Sequence, residues 1–327
     1  MANTKENNIL VIGNGFDLYH GLATRYIDFV DATSSKSDLM ENPFIKTFQM
    51  MADANDGWID CEETIYHIVK LFDNILNEKG AANKGRFLTK GLSNENMEII
   101  KIFERYFVKT DTMLSGMQIA REFKNTFGEF DKKKFFDSIK SELDYTINAL
   151  WRYLKFDLDS ANRDMESMQI KSINPSYVIN FNYTDTISKV YDIDENDIFY
   201  IHGDLKQESK NMVFGISDDS EENLDFVYFK KYFQRIQKRT GIIDRARFYV
   251  NENGRVLPVN LHFFGHSLGL TDSDVIREIA GMSDKMIIYY LDQSDYESKV
   301  INLLHIFGKK DGVEKIQTGF IEFRQIQ

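Results

Sequence analysis

Ile9-Leu10-Val11-Ile12-Gly13-Asn14-Gly15-Phe16-Asp17 sets the architecture expected of this chain. An unbroken aliphatic run closed by glycine reads as a strand, about residues 8–12, covered on both faces as in a parallel sheet. Gly13-x-Gly15 directly after it suits a backbone that turns tightly and comes close to a phosphate or ribose. The turn is not the dehydrogenase fingerprint, because Leu18 stands where the third glycine belongs. It is not a Walker loop either, since no Gly-Lys-Ser/Thr follows. A tight β-α turn that holds no ligand is the plain alternative.

Working outward, three more islands follow apolar runs: Asn180-Phe181-Asn182-Tyr183-Thr184, Ile201-His202-Gly203 and Gly265-His266-Ser267-Leu268-Gly269. Strand ends of parallel sheets are where α/β proteins build nucleotide sites, so the four islands are expected to converge on one pocket. Strand character recurs at 177–179, 198–201, 212–214, 256–264, 286–291 and 319–323, with helical patterns at 274–282 and 295–307. That alternation predicts an α/β protein with a mostly parallel, three-layer sheet. Residues 34–57 are polar, and 34–37 and 53–57 read as loops. From about 62 to 155 the spacing is helical, with Ile65, Ile68, Val69, Phe72, Ile75 and Leu76 as one stripe. Ile99, Ile100, Phe103, Tyr106 and Phe107 form a second, and Phe136, Ile139, Leu143, Ile147, Leu150 and Leu154 a third. The expected division is a core of residues 1–33 and 170–327 with a helical subdomain, 34–169, inserted into it. At the opening of the insert, Asp60, Glu62 and Glu63 favour the helix dipole, so capping is the first reading.

The chain of 327 residues, 43% hydrophobic and 28% charged, has the composition of an ordinary soluble protein. No run reaches the roughly 18 apolar residues of a membrane span. The polar first eight residues predict no secretory signal. Cys61 stands alone, which excludes an internal disulfide and a four-cysteine zinc site. A cytoplasmic location, no bound metal and no membrane association are expected. A net charge of −11 argues against broad nucleic-acid binding. One basic stretch departs from it: Lys230, Lys231, Arg235, Lys238, Arg239, Arg245 and Arg247. It reads first as the solvated face of an amphipathic helix, and second as an anion-attracting rim beside a pocket.

The opening 11–17, with Gly21-Leu22-x-Thr24-x-Tyr26 behind it, resembles the AbiH family of bacterial abortive-infection proteins. The islands at 180–184, 201–203 and 265–269, with Thr271-Asp272, extend that resemblance over nearly the whole chain. The same order is similar to the sirtuin-like NAD-binding fold, a Rossmann-type core. That resemblance implies a dinucleotide cradle at Gly13, Asn14, Gly15, Phe16 and Asp17. It implies a catalytic asparagine at Asn182, a catalytic histidine at His202 and an adenosine-side serine at Ser267. Thr24, Tyr183, Gly265, His266 and Asp272 complete the expected binding set, and Val213-Phe214-Gly215 resembles the Phe-Gly step after the histidine. The chain departs at Ala23 (proline in sirtuins), at Arg25-Tyr26 (Phe-Arg) and at Thr184 (aspartate). It also lacks the four-cysteine zinc module, which points away from deacylation and toward NAD hydrolysis. A gating oligomer or a defence partner protein is expected with such an activity.

Cleaving the nicotinamide–ribose bond passes through an oxocarbenium-like transition state, comparable to glycoside hydrolysis. Asn182 can position water, since its amide donates and accepts. His202 can act as a base that reaches a ribose hydroxyl, with an unperturbed pKa near 6.5. Each has a plain reading beside it: Asn182 as an Asx-turn residue, His202 as a satisfied structural histidine and Asp17 as a helix cap. Two further functions stay open. Gly265-x-Ser267-x-Gly269 is a literal nucleophile elbow, which would make Ser267 a hydrolase nucleophile with His305 as base. Against it, 269–272 reads as a loop ending in an N-cap, and no His-Gly-Gly oxyanion segment occurs. Thr184 in place of aspartate keeps a non-catalytic NAD sensor in view.

Overall fold

The computed structural model describes residues 6–77, 86–110, 116–158, 166–217, 225–241, 243–244 and 257–327. The chain divides into two compact units, the first made of Met1–Arg25, Trp151–Asp219 and Lys231–Gln327, the second of Tyr26–Leu150 and Ser220–Lys230. The division falls at different residues from the expected 33/34 and 169/170 boundaries, and a short late segment joins the second unit.

The first unit is built on six parallel strands: β1 (Asn7–Ile12), β2 (Tyr177–Asn180), β3 (Ile198–Tyr200), β4 (Val259–Phe264), β5 (Lys285–Tyr290) and β6 (Ile321–Gln325). Their order across the sheet is β3-β2-β1-β4-β5-β6. Successive side chains of a strand point to opposite faces, and here both faces are covered. Ile9, Val11, Ile179, Phe263, Met286 and Ile288 enter one core with Val275, Ile276 and Leu303. Leu10, Ile12, Val178, Phe264, Ile287 and Tyr289 enter the other with Phe16, Ile170 and Ile187. Two cores around one sheet make the three layers that the β-α alternation predicts.

The pairing register decides where the islands lie. Ile12 is level with Asn180 and with Phe264, and Asn180 is level with Tyr200. Gly13, Phe181, Gly265 and Ile201 therefore leave the sheet together, at its carboxyl edge. The order reverses between β1 and β4, and open α/β sheets place ligands at such a switch point. The expected strand at 212–214 does not join the sheet; Met212, Val213 and Phe214 are buried, and the Val213 N–H donates to the His202 carbonyl (2.8 Å). Position 256 of the strand expected at 256–264 lies outside the described residues, and β4 begins at Val259.

In the second unit the three predicted stripes are buried, though Leu154 falls in the first unit. Helices Cys61–Asn77, Asn94–Ile102 and Lys132–Arg152 carry most of them. Phe107 is not helical: it starts strand Phe107–Lys109, one of three antiparallel strands with Arg86–Leu88 and Gly116–Ile119. Burial alone cannot tell a short strand from a helix turn. The polar stretch 34–57 holds a helix, Pro43–Ala54, because Asn42 accepts from Phe44 N–H and Ile45 N–H and Pro43 occupies the first turn. Asp60 does cap, accepting from the amides of Glu62 (2.9 Å) and Glu63 (3.1 Å).

Candidate functional site

The first island is a contact between loops. The Gly15 N–H donates to the Gly265 carbonyl at 2.7 Å, and the Phe16 N–H to that of Gly13 at 2.8 Å. A Cβ at Gly265, where φ is +64°, would stand 2.1 Å from Phe16 N; one at Gly13 would stand 2.8 Å from His266 Cα. These glycines are needed because the β1 and β4 loops touch backbone to backbone. The amides of Gly15 and Phe16, two of the residues expected to cradle a dinucleotide, are thereby bonded within the protein. Phe16 is wholly buried among His20, Tyr191 and Phe264. Asn14 is exposed.

The second island is an Asx-type turn: Asn180 Oδ1 accepts from the Asn182 N–H (2.8 Å) and Asn180 Nδ2 donates to the Thr184 carbonyl (3.0 Å). Asn182, 8% exposed, donates from Nδ2 to the Gly13 carbonyl at 3.0 Å, tying the β2 loop to the β1 loop. Tyr183 donates to the Val213 carbonyl (2.8 Å). Thr184 Oγ1 donates to Asp17 Oδ2 at 2.6 Å. An aspartate at 184 would set two carboxylates at hydrogen-bonding distance, which explains the departure physically. Asp17 sits within helix Asn14–Tyr19 as this acceptor, not as its cap. Thr24 is half-buried, and its Oγ1 is buried without a hydrogen-bond partner.

His202 anchors the third island and is 4% exposed. Its Nε2 lies 2.9 Å from Asp272 Oδ1, and Lys231 Nζ donates to the same oxygen at 2.8 Å. The Nδ1 of His202 is buried with no hydrogen-bond partner. Phe181 stands edge-on between His202 (5.5 Å between centroids) and His266 (4.4 Å). Burial, followed by the nearby Lys231 ammonium, pushes the His202 imidazole below its ordinary range, against the pull of Asp272. Burial alone would raise the Asp272 carboxyl; Lys231, followed by His202, holds it well below the usual carboxylate range. An ionised Asp272 beside a neutral His202, with Lys231 as counter-ion, satisfies both directions. Burial pushes His266 down to about 4, so its Nδ1 is free to accept the Leu268 N–H (2.9 Å).

Asp272 precedes helix Ser273–Ala280, yet its side chain makes no cap hydrogen bond. Asp272 holds the N-cap position as expected, but His202 and Lys231 take its carboxylate in place of the helix amides. The basic stretch is likewise corrected in its first reading. In helix Lys231–Lys238 the face at 231, 234, 235 and 238 is turned inward. Lys231, 2% exposed, meets Asp272, and Arg235 pairs with Asp274. Gln234 clamps both backbone groups of Phe214, and Lys238 donates to the Met212 carbonyl. Ile236, 74% exposed, faces outward. Arg245 and Arg247 lie outside the described residues. Lys231 and Gln234 are the site residues that sequence reading missed; their spacing was visible, their inward direction was not.

Ser267 is exposed, and its carbonyl accepts from Asn302 (2.9 Å). The helix after the elbow begins at Ser273 rather than at the serine. Leu268, with φ of +56°, strains the loop between them. Among the described residues no histidine bonds the Ser267 hydroxyl, and His305 is exposed on helix Gln293–Phe307.

Sheet topology and loops thus define an α/β protein with a buried polar cluster at the carboxyl edge of parallel strands. The chain belongs to the family described as Bacteriophage abortive infection AbiH, which it matches over residues 9–290, a span holding all four islands. No curated protein and no solved structure matches it. Among the described residues no helix is long and apolar enough to cross a membrane.

Proposed function

We propose that this AbiH-family chain acts in abortive infection by hydrolysing NAD to nicotinamide and ADP-ribose on a sirtuin-like core. The order β3-β2-β1-β4-β5-β6 supports it, being that of the Rossmann dinucleotide sheet. The observation that carries the reading is His202: one ring nitrogen tied to Asp272, the other buried without a partner, two residues past the end of β3, the strand paired with the one that leads into the Asn182 loop. A buried nitrogen left unpartnered costs about 1–3 kcal/mol, and a substrate hydroxyl or water would satisfy it.

In the proposed reaction water adds to the anomeric carbon as the bond to nicotinamide breaks. The bonding pair returns to the pyridinium nitrogen, releasing neutral nicotinamide. The water loses one proton, which His202 Nδ1 accepts. Asn182 positions that water through its amide. The cationic leaving group needs no general acid. Asn182 and His202 are both buried, so substrate must displace what covers them. A closed resting site accords with an activity that would harm its own cell, and gating by an oligomer or partner protein belongs to the proposal.

The test is nicotinamide release from NAD by the wild type, Asn182→Ala and His202→Ala. The variants are expected to lose roughly 10²–10⁴-fold in rate; equal turnover by all three removes the assignment. Burial of both residues favours a second reading, a non-catalytic NAD sensor. Saturable NAD binding without turnover would support it.

A further inference from the structure

We infer that Lys231 and Asp272 are positioning residues that fix His202 in one tautomer, with its proton on Nε2 and its Nδ1 lone pair presented as the acceptor. The use made of that acceptor rests on the proposed NAD reading, whereas the tautomer does not.

An ionised carboxylate has no proton to give, so the 2.9 Å contact of His202 Nε2 with Asp272 Oδ1 requires the imidazole to donate. Lys231 has three donors and no acceptor, and its 2.8 Å bond to the same oxygen keeps Asp272 ionised. A neutral imidazole carries one N–H, so Nδ1 is left as a bare lone pair. The charged and titratable groups around the ring are few. Lys231 and Arg235 come from helix Lys231–Lys238, and Asp272 and His266 from the segment after β4. Burial and the two cations disfavour a second proton on the ring, and Asp272 partly offsets them. Phe181 packs edge-on to the ring and restricts its rotation about Cβ–Cγ. Helix Lys231–Lys238 holds Lys231 in place, because Gln234 accepts the Phe214 N–H (2.9 Å) and donates to the Phe214 carbonyl (3.0 Å). That clamp seats the helix on the segment whose Val213 N–H bonds the His202 carbonyl.

The decisive experiment is a long-range proton–nitrogen correlation spectrum of the labelled full-length protein at pH 7, with His202 assigned by difference against His202→Gln. The wild type is expected to show a single tautomer, protonated at Nε2. Asp272→Ala, which removes the acceptor, is expected to populate both tautomers, and Asp272→Glu to restore the first. A wild-type proton on Nδ1, or an unchanged tautomer in Asp272→Ala, overturns the inference. Should Asp272→Ala not fold, Lys231→Met decides: losing a cation beside the ring should move the His202 titration midpoint up. An unmoved or lowered midpoint overturns it. Nicotinamide release is measured on the same samples, and Asp272→Ala is expected to lose roughly 10²–10⁴-fold in kcat with KM little changed. If the tautomer behaves as expected but no sample releases nicotinamide, the positioning pair stands and the NAD reading falls.

Discussion

Gly265→Ala should be among the costliest single-atom additions in this protein, and the cost can be assembled from the loop contact. The added Cβ would lie 2.1 Å from Phe16 N and 2.4 Å from the Gly15 carbonyl carbon, both backbone atoms that cannot rotate away. At φ of +64° an alanine costs about 1–2 kcal/mol before any overlap is counted. Relieving the overlap means parting the two loops, which loses the 2.7 Å bond from Gly15 N–H to Gly265 O, about 0.5–1.5 kcal/mol net. It also shifts the fully buried Phe16, a disturbance of about 1–3 kcal/mol. The sum is about 2.5–6.5 kcal/mol, against a total stability of roughly 5–15 kcal/mol. Gly319→Ala is the matched control in the same unit: its φ is +77° and nothing lies within 4 Å of the added atom. It should lose only the backbone part, about 1–2 kcal/mol. Urea unfolding followed by circular dichroism separates the two, since a lower midpoint at constant slope reports stability. A Gly265→Ala midpoint no lower than that of Gly319→Ala would refute the claim that these glycines exist for the loop contact.

Four further outcomes follow from particular contacts. Thr184→Val removes a buried donor from Asp17 and should cost about 1–3 kcal/mol by the same urea assay, and Thr184→Asp should cost more through carboxylate repulsion. His266 has a folded pKa of about 4 against about 6.5 unfolded, so the folded state binds fewer protons between those values. Its stabilisation is full above pH 6.5 and is lost as pH falls toward 4, by about 3 kcal/mol at most, and His266→Gln should flatten that slope in urea midpoints. In the second unit Phe135 meets Tyr106, Phe107, Phe123, Phe130 and Phe136 edge-on, and Phe135→Ala should cost about 3–5 kcal/mol. Asp272→Leu alone breaks the buried ion pair with Lys231 and should cost about 3–5 kcal/mol, whereas Asp272→Leu with Lys231→Met should recover most of that loss.

The parallel sheet was legible because a strand covered on both faces must be apolar at every position, and residues 9–12 are. Their neighbours repeat it only in part, at 177–179 and at 259, 261, 263 and 264, with Asn260 and His262 between; the shared carboxyl edge followed from topology. Partners were not legible. Asp272 before a helix has the sequence of an N-cap, and only folding shows that a histidine 70 residues earlier takes its carboxylate. The second unit's strands were hidden for a different reason: Phe107 and Met117 are buried in elements of three and four residues, too short to show a period. Residue 256 of the expected strand and the basic residues at 245 and 247 fall outside the described positions.

Helix Lys231–Lys238 makes the case for a role beyond folding. A helix packed on a core ordinarily turns its apolar stripe inward, since each buried methylene contributes about 0.8 kcal/mol. Here the lysine, glutamine and arginine are inside while Ile236 is in water. Desolvating such ions costs several kcal/mol each, and apolar residues of similar volume commonly serve stability as well or better. Stability therefore does not account for the arrangement. What the inward charges achieve is positional: Lys231 and Arg235 hold Asp272 and Asp274, and Asp272 holds His202. The chain accepts an energetically poor helix face in order to fix one imidazole at the edge where the strands end. On the proposed reading, that support keeps the unpartnered Nδ1 of His202 available to substrate.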